Sequence, residues 1–171
     1  MPQHTVAPIK IRPYRPEDCP HIRAILTRIG WEERYIAHFE ALAGPFAARE
    51  DTALLMACHA GAPVGFILVE HYRWNRLAQI QGLAVDPALQ RRGAATALTA
   101  QAEAWARSQG ARGLYVDTPT GNTGGRRFYE AAGFQIGYVM PRYYDDQTDG
   151  VTYQRFFTEA APSMPDKRPR A

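Results

Sequence analysis

The chain has 171 residues, 19.1 kDa, 46% of them hydrophobic and 22% charged, which fits one packed domain and excludes wholesale disorder or a fibrous repeat. Its 20 lysines and arginines exceed its 17 acids by three, and three of those bases stand against one acid in the final PSMPDKRPRA, leaving a near-neutral body. Such a body lacks the basic stripe that nucleic-acid binding requires, so nucleic acid is not an expected partner.

Residues 1–8 read as a flexible N-terminus, 9–158 as one domain, and 159–171, with Pro162, Pro165 and Pro169, as a disordered tail. Ile9-Lys10-Ile11-Arg12 alternates apolar and polar residues and predicts a strand. Pro16, Glu17 and Asp18 then open a helix over 17–29, whose apolar residues Ile22, Ile25, Leu26 and Ile29 recur at helical spacing before Gly30. A second helix follows from about Trp31 to Arg49. Strands are expected at Ala53 to His59 and Val64 to His71, with Ala60-Gly61-Ala62-Pro63 as their hairpin turn, and again at Leu77 to Val85 before Asp86-Pro87. The longest helical pattern, about Arg91 to Ser108, carries an apolar stripe of Ala95, Leu98, Ala102 and Trp105. Arg92, Thr96, Thr99, Glu103 and Arg107 form its opposite face. The remainder reads strand (Gly113 to Asp117), helix (Asn122 to Ala132), strand (Phe134 to Tyr143) and strand (Val151 to Phe157). Strands in a run that then alternate with helices imply a mixed sheet covered by helices.

The stretch from Leu83 to Ala95, LAVDPALQRRGAA, carries the strongest chemical signal. A strand runs through a turn into a helix whose mouth is built of small residues. The first N–H groups of a helix have no internal partner and sit at the positive end of its dipole, so an anionic diphosphate is stabilised there. Gly93, Ala94 and Ala95 allow close approach, and Arg91 and Arg92 add charge. Neither a P-loop nor the dinucleotide fingerprint is present, so a different phosphate ligand is implied.

The segment from Gln79 to Gly110 resembles the acetyl-CoA-binding motif of the GNAT N-acetyltransferase superfamily, with Gln90-Arg91-Arg92-Gly93-Ala94-Ala95 matching its Q/R-x-x-G-x-G/A signature. Asn122 to Phe134, NTGGRRFYEAAGF, is similar to that superfamily's second motif, and the resemblance spans about residues 9–158. It implies an α/β (α+β) fold with a central mixed, mostly antiparallel sheet of six to seven strands and about four flanking helices. It also implies acetyl-CoA as the acyl donor. Leu83, Ala84 and Val85 would pair their main chain with the pantetheine arm, which Asn122 would also contact. Tyr129 would stand beside the sulfur and protonate the departing thiolate. Many members carry a Glu where this chain has Gln79, with Gln81 beside it, and neither amide can act as a base. Glu70 and His71 are the nearest ionisable groups in sequence, and the base is left open, with water among the candidates. No Cys or Ser sits in a nucleophile context, which favours direct attack over an acyl-enzyme.

On the acceptor side, Trp31, Glu32 and Tyr35 from the second helical stretch, Gln79, and Tyr143 and Asp145 from the loop between the last strands are the candidate contacts. Aromatic and acidic residues suit a cationic amine, whether a small molecule, an antibiotic, a lysine side chain or a protein N-terminus. Arg73 and Arg76 would instead suit an acidic substrate. The alternative reading is an acyl-CoA-binding module without turnover, which would not need Tyr129.

No apolar stretch approaches the roughly 18 to 20 residues of a spanning helix, and MPQHTVAPIK lacks an apolar signal segment. No membrane partner is therefore expected, and the expected location is the cytoplasm. Cys19 and Cys58 read as plain thiols. The five histidines lack a ligand spacing, so no metal is expected. A homodimer is the one assembly admitted besides the acceptor complex.

Overall fold

A computed structural model of the chain describes residues 7–158. Most of the expected N-terminal segment (1–8) and the expected tail (159–171) lie outside the described residues. The elements in chain order are β1 (Ile9–Pro13), α1 (Cys19–Ile29), α2 (Glu33–Ala47), β2 (Thr52–His59), β3 (Ala62–Tyr72), β4 (Leu77–Val85), α3 (Ala94–Ser108), β5 (Gly113–Pro119), α4 (Thr123–Ala131), β6 (Gln135–Met140) and β7 (Gly150–Phe156). They form one seven-stranded sheet in the order β1-β2-β3-β4-β5-β7-β6. The β4–β5 pair is parallel and every other pair is antiparallel. α3 makes the crossover that a parallel connection needs. The mixed, mostly antiparallel sheet with four helices implied by the sequence is the architecture observed.

Strand alternation sends apolar side chains to both faces, and two cores result. On one face Ile67, Val69, Ile80, Leu114, Val116 and Tyr153 pack against Leu98, Ala102 and Ala106 of α3 and against Tyr129 of α4. On the other, Leu54, Met56, Phe66 and Leu68 meet Ile22, Ile25 and Leu26 of α1 and Phe39 and Phe46 of α2. α1 and α2 cover the β1–β4 half of that second face. Beyond them, Gln79, Tyr115 and Asp117 continue the same face onto β4 and β5.

Several boundaries differ from the sequence reading. The β2–β3 hairpin closes through Ala60 and Gly61 alone, with His59 opposite Ala62. Both turn residues have positive φ, 48° and 85°, as a tight right-twisting hairpin demands. α3 begins at Ala94 rather than Arg91, because Gln90 is extended and Arg91 and Gly93 take left-handed conformations (φ 62° and 86°) that no helix continues. Thr99 lies in the core rather than on the outer face of α3. Its hydroxyl is satisfied by donating to the carbonyl of Ala95 at 2.8 Å, so burial leaves no unmet donor. The expected strand from Phe134 to Tyr143 shortens to β6, an edge strand whose six residues are all exposed.

Asp18 ties the N-terminal elements together. Its buried carboxylate accepts from Arg12 at 2.7 and 2.8 Å and from the Arg15 amide at 2.8 Å, joining β1 to the start of α1. The Arg12 guanidinium holds the Asp18 carboxyl below its ordinary range.

Candidate active site

β4 and β5 pair only from Leu77 opposite Gly113 to Ile80 opposite Val116. At Gln81 an extra residue bulges against β3, the register slipping between Leu68 and Val69, and from there β4 leaves β5. The residues of β4 beyond Ile80 keep β3 on one side and no strand on the other, while Asp117 to Pro119 of β5 pair with β7. This gap opens two cavities, of about 430 and 680 Å³, which meet at Trp31, Leu83, Asn122 and Tyr129.

The larger cavity runs from the gap to the mouth of α3. Leu83, Ala84 and Val85 of β4, Gln90 and Arg91 of the turn, Gly93, Ala94 and Ala95 at the helix start, and Asn122 and Tyr129 all line it. Arg92 does not, because the left-handed Arg91 reverses the turn and sends successive side chains to different sides. Gln90 fastens the turn by donating its side-chain amide to the Val85 carbonyl at 3.1 Å. Arg127 joins Arg91 on the wall. Two cations and the free N–H groups of Ala94 to Thr96 suit a diphosphate, and the unpaired edge of β4 suits a ligand arm bearing amides. The groove thus fits coenzyme A in both charge and hydrogen-bonding capacity.

Asn122 caps α4, accepting from the Gly125 amide at 3.1 Å while its own amide donates to the Thr118 hydroxyl at 2.9 Å. A Cβ on Gly125 would run into that side chain, so a larger residue there would displace the Asn122 cap. α4 then carries Tyr129 inward, where Phe128, Phe134 and Tyr153 surround the ring at centroid distances of 5.4, 5.6 and 6.0 Å. Burial raises the Tyr129 phenol well above its usual range, so it keeps its proton at neutral pH.

The smaller cavity lies toward α2. Of the residues expected on the acceptor side, Trp31, Glu32, Tyr35 and Asp145 line it. Gln79 and Tyr143 do not. Tyr143 is packed over Gly150, and Tyr144 takes the place in the wall; burial and the nearby Asp117 raise the Tyr144 phenol. Gln79 and Tyr143 act at one remove, since both donate to Asp117, at 3.1 and 3.3 Å, and the Thr152 hydroxyl donates to it as well. Asp117 itself lines the cavity. Sequence alone does not single out Asp117 or Phe39, nor pick Tyr144 from the loop before the last strand or Arg127 from the second motif. Alternation in Leu114-Tyr115-Val116-Asp117 does place Asp117 on the face opposite the α3 core.

Glu70, by contrast, belongs to a neighbouring network. It accepts from Gln81 at 2.6 Å, from Tyr72 at 3.2 Å and from Arg49 at 2.5 Å. His71 points into the α3 side of the sheet, buried, with Nε2 unpartnered and its pKa lowered by burial and by Arg73. Cys19 and Cys58 are free thiols.

Residues 17–134 match the Acetyltransferase (GNAT) family, and the chain belongs to that family. Solved structures agree in fold. A GNAT-family protein from Desulfovibrio desulfuricans superposes with a TM-score of 0.80 at 22% identity, over 87% of this chain and 99% of that one. Ard1 from Thermoplasma volcanium gives 0.72 at 27% identity, over 88% and 99%. The PaiA N-acetyltransferase from Thermoplasma acidophilum, solved in complex with coenzyme A, gives 0.69 at 18% identity, over 85% and 98%. No curated protein matches the sequence. No helix among the described residues is long and apolar enough to cross a membrane.

Proposed function

We propose that the protein transfers an acetyl group from acetyl-CoA to a primary amine, of a small molecule or of a protein, by direct attack within a ternary complex. One observation carries the reading: a groove suited to coenzyme A and an aromatic, acid-bearing cavity meet at Tyr129. When bound, acetyl-CoA supplies an activated thioester carbonyl. Leu83 to Val85 would hold its amide-bearing arm by main-chain hydrogen bonds, and Arg91, Arg127 and the mouth of α3 its diphosphate. A free main-chain N–H in the same stretch of β4 would face the carbonyl oxygen as negative charge develops there. Tyr129, kept protonated by burial, would hold the proton that the leaving sulfur needs. Trp31, Tyr35 and Tyr144 would exclude water and orient the amine.

The test separates this reading from a module that binds acyl-CoA without turnover. Acetyl-CoA is titrated by calorimetry, and thiol release is followed across an amine panel with mass spectrometry of the product. Acetylated amine formed with stoichiometric thiol is expected. Tight binding without amine-dependent thiol release in any member would overturn catalysis in favour of the binding module.

A further inference from the structure

We propose that Asp117 receives the ammonium group of the acceptor and takes its proton, so that the substrate class is a cationic amine; this rests on the acetyl-transfer reading above. Three acids line the acceptor cavity, and two of them are already matched. Glu32 pairs with Arg34 at 3.0 Å, and Asp145 meets the same guanidinium at 3.6 Å. Asp117 alone of the three is in no ion pair among the described residues. Its oxygens accept from three neutral donors, the Thr152 hydroxyl, Gln79 Nε2 at 3.1 Å and the Tyr143 hydroxyl at 3.3 Å.

Hydrogen bonds of this kind hold a carboxylate in place without neutralising it. A half-buried anion on a cavity wall that also carries Trp31, Phe39 and Tyr144 calls for a cation, and aromatic side chains favour one too; the Tyr35 ring is already matched, with the Arg34 guanidinium 4.7 Å from its centroid. The departure at Gln79 gains a meaning here. β4 carries an amide where the family resemblance expects a carboxylate, and that amide is turned to orient the carboxylate that β5 supplies one strand away. The titratable groups around Asp117 are Tyr115 on its own strand, Tyr143 and Tyr144 from the β6–β7 loop, Tyr129 across the cavity, Glu70 beyond Gln79, and Glu32, Tyr35 and Asp145 on the same cavity wall, where Arg34 pairs with the two acids.

The step balances as follows. The bound R–NH₃⁺ gives one proton to the Asp117 carboxylate. The freed lone pair forms the C–N bond at the thioester carbonyl carbon, and the C–S bond breaks with its electron pair leaving on sulfur. Sulfur takes a proton from Tyr129, and the nitrogen sheds its second proton, which replaces the one Tyr129 gave. The products are amide, free thiol and the one proton that Asp117 returns to solvent.

D117N and Y143F are compared with the wild-type chain using spermidine, tyramine and a peptide with an N-terminal alanine as acceptors. The best acceptor is also titrated calorimetrically into protein saturated with CoA, which cannot react. D117N is expected to lower kcat/KM at pH 7 by about 100- to 1,000-fold, the range of a lost general base, and to weaken amine binding at least about tenfold. Its acetyl-CoA affinity should stay unchanged, its Tm should fall modestly because an amide cannot accept from all three donors, and its rate should recover with pH as free amine accumulates. Y143F, at an exposed position, keeps the carboxylate but removes one donor, so the acidic limb of kcat/KM should move to higher pH with less than a tenfold loss. Wild-type turnover with D117N within about threefold in both rate and amine binding overturns the proposal alone. Should D117N fail to fold, an unmoved limb in Y143F overturns it. Wild-type protein that acetylates none of the amines overturns the acetyl-transfer reading, and this inference with it.

Discussion

Tyr129 stands in a core and at the proposed reaction centre at once. Its ring is held by three aromatic neighbours, while the residue lines the junction of both cavities. Tyr129→Phe keeps the ring contacts and removes one oxygen. We expect kcat to fall by about ten- to a thousandfold with Tm and acetyl-CoA affinity unchanged. Single-turnover rates check this, and an unaltered chemical step would leave Tyr129 as packing. Tyr129 and Asn122 were legible in the sequence because each belongs to a continuous motif. Asp117 was not: alternation assigns it a face, but only the parting of β4 from β5 turns that face into a cavity wall. The exchange of Tyr143 for Tyr144 has a similar origin, since a loop between strands has no period from which to read direction.

At the scale of elements, periodicity located every helix and strand, and the errors fall where a turn or a polar side chain overrides it. Thr99 is polar and expected on the solvent face, yet a hydroxyl that bonds its own helix backbone can be buried. The β4–α3 turn separates backbone strain from ligand exclusion. A Cβ at Gly93 would meet nothing within 4 Å, so the cost of Gly93→Ala is conformational, about 1 kcal/mol for forcing a side chain to φ +86°. That variant should melt lower yet bind CoA almost as well as wild type. Gly93→Glu adds a carboxylate beside the proposed diphosphate position and should weaken CoA binding more than about tenfold. Equal CoA affinities by calorimetry in a folded Gly93→Glu protein would remove the turn from the cofactor site.

Over the whole molecule, the run of strands followed by alternation was enough to imply a mixed sheet. It was not enough to place β7 between β5 and β6, because that insertion is a non-local pairing without a sequence marker. Acid stability is also a property of the whole sheet. His71 is neutral in its buried place, with its pKa lowered, whereas the unfolded chain takes up a proton near the ordinary value of about 6.5. The unfolded state therefore binds more protons as pH falls below about 6.5, and stability declines from there toward the lowered folded value. Asp18 adds a second loss further down. Its contribution is full above the ordinary carboxyl value of 3.8 and disappears as pH drops through its lower folded value. Melting curves from pH 8 to 5 should slope downward for wild type and flatten in His71→Asn; parallel curves would clear His71 of the effect.

The four-residue ladder between β4 and β5 also makes a seam. It divides the sheet into a slab of β1 to β4 and a slab of β5, β7 and β6, stitched by the pairs from Leu77–Gly113 to Ile80–Val116 and by the α3 crossover. That short ladder is where the two slabs can breathe against one another, and a ligand arm seated along β4 would act as the missing stitches. Amide hydrogen–deuterium exchange reads this directly. Adding CoA should slow exchange in residues 81–85 and 94–96 and raise Tm, while β1, β2 and the β2–β3 hairpin keep their unliganded rates; protection spread evenly over both slabs would mean that the seam is closed without ligand.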